Sequence, residues 1–371
     1  MKKEWIDRLA GDGILKKEEF VTLLSEMTEE DRGYAAEKAA DIAKKYYGNK
    51  IYVRGLIEFT NICQNDCYYC GIRRSNRNVC RYRLNKEEIL LCCREGYRLG
   101  FRTFVLQGGE DGAFTDEVLT DLIKGIKKEH PDCAVTLSVG ERSAESYRKL
   151  REAGADRYLL RHETADRAHY EKLHPPEMSF SHRRDCIGEL KALGYQTGCG
   201  FMVGSPYQTY ETIADDLFYI HEVRPEMVGI GPFLPQKDTP FHKEALDKRM
   251  QAGEEIGLAG LSAKEKMNLT VFLLSLIRIM EKDILLPATT ALATIDKEGR
   301  KLGVLAGANV IMPNLSPLSV RDHYTLYDNK ANKGDEAAEG RKKLEKEMAS
   351  IGYEVVTDIG NVRREGEKKN G

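Results

Sequence analysis

The sequence predicts an α/β fold: a (β/α)8 barrel of the TIM type with N-terminal helices and a C-terminal helical extension. Short β-branched runs alternate with longer amphipathic stretches after residue 48, and we count eight such runs. The chain of 371 residues is also long enough for one large barrel. Strand, helix and strand in succession imply parallel pairing with right-handed crossovers. An open, doubly wound sheet is the alternative, because strands are hard to count from one sequence.

Each element has its own signal. Polar-faced helical patterns, for example over 16–26 and 31–47, define an N-terminal helical extension over 1–48. The barrel is expected to cover 49–325, and a C-terminal extension with one charged helix over 334–349 covers 326–371. A helix over 86–99 begins behind Asn85, with Glu88 three residues on, which is a capping box. The predicted strands occupy 51–60, 103–107, 134–138, 157–160, 196–203, 227–231, 284–288 and 309–312.

Composition excludes several classes of protein. Hydrophobic residues make up 41% and charged residues 31%, which suits a large core and argues against overall disorder. The 57 basic and 59 acidic residues leave a net charge of -2, so no global field favours nucleic acid or an anionic membrane. No apolar run approaches about 20 residues, and residues 1–5 lead into no signal region. We therefore expect a cytoplasmic, monomeric protein with no membrane or nucleic-acid partner.

Three of the nine cysteines form a cluster directly after the first predicted strand: Cys63-x-x-x-Cys67-x-x-Cys70. In a reducing compartment, such spacing indicates metal binding or catalysis rather than disulfides. Thiolates select zinc or iron–sulfur clusters. A structural zinc site wants four ligands, and no second cysteine pair is evident. Three ligands on a four-iron cluster leave one iron open for substrate chemistry; zinc with a distant fourth ligand and unliganded thiols are the alternatives.

Other polar groups follow further predicted strands, at 60–61, 107–110, 138–141, 161–163 and 289–290. The active site of a parallel barrel lies at the C-terminal ends of its strands, an end that we call the mouth. We therefore expect these polar groups to lie at the mouth together with the cysteines.

The cysteine loop, with Tyr69 just before its last cysteine, resembles the radical S-adenosylmethionine (SAM) superfamily. That resemblance implies one [4Fe-4S] cluster on Cys63, Cys67 and Cys70, whose open iron is chelated by SAM. One electron then yields a 5′-deoxyadenosyl radical, chemistry that belongs to the cofactor. Gly108-Gly109-Glu110 resembles the family element that holds the SAM ammonium, since glycines admit close approach to the backbone.

Further short segments of the sequence resemble one family of the radical SAM superfamily. That family is HydE, the maturases of the [FeFe]-hydrogenase active site. The segments span about residues 15 to 325 and include Arg161-His162-Glu163-Thr164 and Pro287-Ala288-Thr289-Thr290-Ala291. Methylornithine synthase is a near relative and shares the pattern at 234–236. Biotin synthase is more remote, and its additional cysteine ligands are not evident here.

The resemblance implies roles for individual residues. Arg161, Thr289 and Thr290 would bind an anion or carboxylate of the substrate, as hydroxyls and a guanidinium can in a dry cavity. A carboxylate beside an arginine suits a zwitterionic amino acid. Structural alternatives remain. Arg161 and Glu163 could form a structural ion pair, and Met227 and Met312 could be ordinary core side chains. The implied cofactor-binding residues are Tyr69, Gln107, Gly108, Gly109, Glu110, Ser138, Glu163, Arg183, Met227, Met312 and Tyr324.

The implied reaction acts on a sulfur-containing, cysteine-bound iron carbonyl–cyanide unit and builds the di-iron precursor of the H-cluster. Partners would be maturases of the HydG and HydF types and a reductant such as ferredoxin or flavodoxin. A methylornithine synthase-like or biotin synthase-like reaction on an amino acid or thiol is the alternative. No cysteine follows Cys199, so the second cluster of some family members is not expected.

Two alternatives of other classes are weaker. Five arginines at 73, 74, 77, 81 and 83 could form a nucleic-acid patch, but only Tyr82 interleaves them. A non-enzymatic cluster carrier would not need the Gly-Gly-Glu element, the Arg161 and Glu163 pair or the two threonines.

Overall fold

The computed structural model describes residues 2–330 and 337–363. The strands are β1 Lys50–Val53, β2 Gly55–Thr60, β3 Thr103–Gly108, β4 Ala134–Ser138, β5 Arg157–Leu159, β6 Gln196–Cys199, β7 Met202–Val203, β8 Met227–Val228, β9 Gly231–Pro232, β10 Val310–Ile311 and β11 Glu354–Val356. The helices are α1 Lys2–Asp12, α2 Lys17–Ser25, α3 Glu29–Tyr47, α4 Lys86–Arg98, α5 Asp116–Glu129, α6 Ala144–Glu152, α7 Arg167–Leu173, α8 Phe180–Ala192, α9 Tyr210–Val223, α10 Lys243–Gln251, α11 Ala263–Met280, α12 Thr290–Ile295, α13 Gly299–Leu305, α14 Leu318–Arg321 and α15 Ala337–Ala349.

Parallel strands form the centre of the molecule. Six of them pair in the order β2-β3-β4-β5-β6-β8. Backbone hydrogen bonds complete the ring: Val228 N–H donates to the Leu285 carbonyl at 3.1 Å, and Ala288 N–H donates to the Val310 carbonyl at 2.9 Å. Leu56 N–H then donates to the Pro313 carbonyl at 2.9 Å, which returns the ring to β2. The predicted eight-membered barrel is confirmed, and the open sheet is excluded.

Side chains alternate across the barrel wall. Ile57, Phe59, Leu106 and Leu137 belong to the apolar core between strands and helices. Since successive side chains of a strand point to opposite faces, Glu58, Gln107 and Ser138 face the barrel interior. These three are also register partners on β2, β3 and β4. The upper interior is therefore polar.

The N-terminal helices follow their predicted signals. α2 and α3 lie within two residues of the predicted ranges, and α1 precedes them. The capping box of α4 is present, with the Asn85 side chain accepting from Glu88 N–H. α3 packs against α11 and α2 against α9, so these helices cover the outside of the barrel.

The C-terminal extension contains a strand that the sequence analysis did not predict. α15 confirms the charged helix from residue 337, and 334–336 lie outside the described residues. β11 pairs in parallel with β1, so the extension is not purely helical as expected. A strand of three residues is too short to show a recognisable alternation of polar and apolar residues. β11 is extended because it pairs with the open edge of β1.

The same extension closes the N-terminal end of the barrel. Arg157, fully buried at the start of β5, donates to the carbonyls of Ile359 and Gly360 at 3.1 and 3.2 Å and to Asn361 Oδ1 at 2.6 Å. Thr103 at the start of β3 also donates to the Ile359 carbonyl, at 2.8 Å. Access to the interior is therefore left to the C-terminal ends of the strands. Within the described parts of the chain, no helix has the length and apolar character needed to cross a membrane.

Candidate active site

The cysteine loop leaves β2 at Asn61, whose buried side chain ties the loop together. Its Nδ2 donates to the carbonyls of Cys80 and His323 at 2.8 and 2.7 Å, and its Oδ1 accepts from Tyr82 N–H at 2.8 Å. Asn61 thus joins both ends of the loop to the segment that follows the last barrel strand.

Arg81 fills the inside of the loop. Its guanidinium donates to four backbone carbonyls, those of Asn61, Ile72, Arg73 and Asn76. A second ion pair lies beside it, where Arg73 contacts both oxygens of Asp66 at 2.8 and 2.6 Å. Hydrogen bonds from Arg73 and Ser75 hold the pKa of Asp66 well below its usual range. The loop conformation is therefore set by these charged side chains.

The three cysteine thiols lie close to one another. Burial raises the pKa of Cys70 to about 12, and the nearby Cys63 thiol contributes to the rise. Burial, followed by repulsion from Cys70 and Cys63, raises the pKa of Cys67 well above its ordinary value. Cys63 also accepts hydrogen bonds from the backbone N–H groups of Asn65 and Glu110, which oppose its raised pKa. Neighbouring partly buried thiols of this kind ionise when a metal centre binds them.

Within residues 2–330 and 337–363, no three His, Cys, Asp or Glu side chains converge on one metal position. The sulfurs around one zinc, with Zn–S bonds of about 2.3 Å, would lie within about 4 Å of each other. A four-iron cluster instead holds its sulfurs around a larger body, and the three thiols of Cys63, Cys67 and Cys70 are the ligand set that the sequence predicts for it.

The Gly-Gly-Glu element packs directly against the loop. A Cβ on Gly109 would lie 2.2 Å from the Ile62 carbonyl oxygen and 2.7 Å from Cys63 Cβ, so only glycine fits. Glu110 accepts from Glu141 N–H at 2.9 Å through one carboxylate oxygen. Its other oxygen accepts from Gln64 Nε2 at 3.3 Å. Gly109 therefore lies against Cys63, while Gly108 lies against Thr60 and Phe59. The Glu110 carboxylate already has two protein donors.

Arg161, Glu163 and Arg183 meet above the barrel interior. Arg183 Nη1 donates to the Arg161 carbonyl at 2.8 Å, and its Nε pairs with Glu141. Arg161 Nη2 lies 3.5 Å from Glu163 Oε2, close enough for attraction but without a hydrogen bond. Arg161 Nε and Nη2 and Glu163 Oε2 are buried, and none has a hydrogen-bond partner. Such groups are costly unless a ligand satisfies them.

The two threonines lie across the mouth. Thr289 immediately precedes α12, and its buried hydroxyl has no hydrogen-bond partner. A Cβ on Gly231 would lie 2.9 Å from that hydroxyl, which places Thr289 opposite β9. Thr290 is the first residue of α12 and is partly exposed.

The structure adds three interior residues that the sequence analysis did not single out: Glu58, Asn314 and Lys330. Lys330 forms an ion pair with Glu58, and Asn314 Nδ2 donates to the other Glu58 oxygen at 2.7 Å. Burial raises the pKa of the neighbouring Tyr324 well above its ordinary value, and Tyr324 is hydrogen-bonded to Gln107. Glu58 could have been recognised as an interior residue because it is an acid within a predicted β-branched strand. No feature of the sequence around Lys330 indicates that it lies in the interior.

The remaining predicted residues lie at different depths. Tyr69 donates to His174 Nε2 at 3.2 Å, because His174 Nδ1–H donates to the Tyr170 carbonyl at 2.9 Å. Ser138 is partly exposed at the end of β4. Met227 is buried in an apolar cluster with Arg54 against its sulfur, and Met312 packs on the same cluster. The two methionines are thus also core side chains.

The arginine-rich stretch is largely used within the loop. Besides Arg73 and Arg81, Arg83 pairs with Asp111 at 2.7 and 2.8 Å. Arg74 and Arg77 are exposed. The stretch therefore orders the loop and presents no continuous basic surface.

A parallel barrel with three facing thiols at its mouth defines the class of protein: a radical SAM enzyme. The family model described as the radical SAM superfamily matches residues 57–220. The [FeFe] hydrogenase maturase subunit HydE of Thermotoga maritima is 44% identical over 330 residues, which cover 87% of this chain and 89% of that protein. The chain belongs to the HydE family of radical SAM enzymes, whose cofactors are a [4Fe-4S] cluster and SAM. The resemblance seen in the sequence is confirmed.

Other relatives are more distant. The 3-methylornithine synthase of Methanosarcina acetivorans is 28% identical over 324 residues, covering 86% of this chain and 85% of that protein. A crystal structure of methylornithine synthase (PylB) superposes with a TM-score of 0.78 at 25% identity, covering 95% and 97% of the two chains. A crystal structure of HydG gives 0.73 at 19% identity, covering 95% and 75%, and shares the fold.

Proposed function

We propose that this chain acts in the maturation of the [FeFe]-hydrogenase active site. The observation that carries the proposal is the mouth of the barrel. The thiols of Cys63, Cys67 and Cys70 interact with one another, and Cys67 also interacts with Glu163. Buried polar atoms of Arg161, Glu163 and Thr289 have no hydrogen-bond partner. The 44% identity to a HydE maturase supports the same reaction.

The thiols of Cys63, Cys67 and Cys70 would hold the [4Fe-4S] cluster. The cluster supplies reductive cleavage of SAM to a 5′-deoxyadenosyl radical when it is bound. Arg81 lies near enough to Cys63 and Cys70 for these thiols to raise its pKa against the lowering effect of burial. Its positive charge would therefore favour the thiolate forms that bind iron.

SAM carries an ammonium and a carboxylate, and the site offers partners for both. The Glu163 oxygen that lacks a hydrogen bond suits the cationic part of the ligand. The buried guanidinium of Arg183, next to the Arg161 carbonyl and Glu141, suits an anionic part. The glycines at 108 and 109 leave the β3 turn open to close approach. We assign further contacts with SAM to Tyr69, Gln107, Glu110, Ser138, Met227, Met312 and Tyr324.

The substrate would lie deeper, against Arg161, Thr289 and Thr290. The unused N–H groups of Arg161 and the unused hydroxyl of Thr289 suit a carboxylate or another anionic group, with Thr290 next to Thr289. Because Arg157 and the C-terminal extension close the opposite end, water is excluded from below. This environment protects a radical and fits a sulfur-containing, cysteine-bound iron carbonyl–cyanide substrate.

Partners follow from that reaction. We propose that a HydG-like maturase supplies the substrate, a HydF-like scaffold receives the product, and a ferredoxin or flavodoxin supplies the electron. The protein would act as a cytoplasmic monomer without nucleic acid.

The test is hydrogen evolution from apo-hydrogenase in an anaerobic cell-free mixture that contains every other maturase. Activity should depend on the wild-type protein and on SAM. The Cys67→Ala variant, matched in concentration, should give none. Intact SAM cleavage without hydrogenase activation would refute maturation and favour a methylornithine synthase-like reaction.

A further inference from the structure

His162 lies between Arg161 and Glu163 in sequence, yet its side chain is buried on the other side of the chain. Its ring packs against Tyr219, with centroids 4.8 Å apart, and against Phe201 at 5.9 Å. Two polar contacts fix the imidazole. Gly200 N–H donates to Nδ1 at 3.2 Å, and Nε2 lies 3.2 Å from Oδ1 of Asp216 on α9.

The direction of these hydrogen bonds follows from their donors. A backbone N–H can only donate, so Nδ1 is the acceptor and the ring hydrogen is on Nε2, which donates to Asp216. Burial lowers the pKa of His162 to about 3 and raises the pKa of Asp216 well above its ordinary value. Burial therefore favours the uncharged form of both groups. Asp216 Oδ1 also accepts from Ala165 N–H at 2.6 Å.

Glu163 lies between His162 and Ala165, which both contact Asp216, and its backbone conformation is unusual. Glu163 adopts φ +65°, in the left-handed region that a buried non-glycine residue rarely occupies. Such a conformation is strained and persists only when its surroundings enforce it. Glu163 N–H donates to the Gly200 carbonyl at 3.0 Å. His162 and Ala165, on either side of Glu163, are both bonded to Asp216.

We propose that His162 and Asp216 are positioning residues that enforce the left-handed turn at Glu163 and so direct its carboxylate toward SAM. The inference rests on the proposed role of Glu163 in SAM binding. Neither residue touches the ligand; both act through Glu163. A carboxylic acid is needed at 216 only as an acceptor, so an amide should replace it.

The experiment measures the Kd of SAM by anaerobic equilibrium dialysis on cluster-loaded variants, with iron content and Tm determined in parallel. Asp216→Leu and His162→Phe should each raise the Kd about fivefold to tenfold. Asp216→Asn should stay within about twofold, because its amide oxygen accepts both hydrogen bonds. Asp215→Ala is the matched control, since the adjacent Asp215 pairs with Lys17 and should leave the Kd unchanged.

A double-mutant cycle with Glu163→Ala decides between positioning and general structural support. Glu163→Ala should raise the Kd about tenfold, and adding Asp216→Leu should then change it less than twofold. If Asp216→Leu has the same effect on the Kd in the wild type and in Glu163→Ala, or no effect in either, this inference is overturned. The proposed role of Glu163 in binding SAM would still stand. An unchanged Kd for Glu163→Ala would overturn both the role of Glu163 and the inference. If Asp216→Leu does not fold, His162→Phe, which retains the aromatic packing, replaces it in the cycle.

Discussion

Replacing Arg81 by methionine removes the charged group around which the cysteine loop folds. A hydrogen bond to a charged group contributes about 1.5–3 kcal/mol, and Arg81 makes four to carbonyls. These bonds share one partly exposed side chain and are not additive, so we take a total of about 3 kcal/mol. That loss corresponds to roughly a hundredfold increase in local opening of the loop.

The loop carries all three thiols, so the expected result is loss of the cluster without loss of the barrel. Iron and sulfide would be measured after anaerobic reconstitution and gel filtration. The Tm of the apoprotein would report on the barrel, which should change little. Arg77→Met serves as the control, because Arg77 is an exposed arginine of the same loop.

The reasoning fails if Arg81→Met retains iron as well as Arg77→Met through gel filtration. It also fails if the apoprotein of Arg81→Met unfolds altogether, since Arg81 would then support the barrel rather than the loop.

Four further outcomes are expected. Cys67→Ala should keep the fold but form no 5′-deoxyadenosine from SAM; continued formation would contradict the cluster assignment. Gly109→Ala, whose Cβ would lie 2.2 Å from the Ile62 carbonyl, should lower iron retention several-fold, whereas Gly112→Ala, which has open space, should not. Because the pKa of Asp66 is lowered on folding, its stabilising effect is present above about pH 4, the unfolded value, and is lost as the pH falls further. The Tm gap between wild-type and Asp66→Asn apoproteins should hold from pH 7 to about pH 5 and narrow below about pH 4. Iron analysis of reconstituted protein should give about four irons per chain, and markedly more would indicate a second cluster.

The barrel and its thiol loop could be predicted because their signals are local. Eight β-branched runs, a capping box at Asn85 and Glu88, and three cysteines within eight residues are each visible in a short window. The order of strands in a parallel barrel then places the end of every strand at one mouth. Arg161 and Thr289 each follow directly after a predicted barrel strand, so the barrel prediction was enough to place both residues at that mouth.

What could not be predicted depends on partners far away in sequence. Lys330 pairs with Glu58 across 272 residues, and no periodicity relates the two positions. β11 is a strand only because β1 offers it an edge. The left-handed conformation of Glu163 lies beside a contact between Ala165 and Asp216 of α9, and no local sequence signal marks that turn.

The contacts of Arg157 also bear on how the chain folds during synthesis. Its acceptors at 359–361 lie 202 to 204 residues later in the chain. At about 5–20 residues per second, translation takes roughly 10 to 40 seconds to reach them. For that interval Nη2 of Arg157 lacks these acceptors, although Gln196 Oε1 and Thr103 Oγ1 accept from the rest of the guanidinium. The edge of β1 that pairs with β11 is also open. An unpaired strand edge is an aggregation hazard, so the lower end of the barrel remains exposed to it until the C-terminal extension has been made.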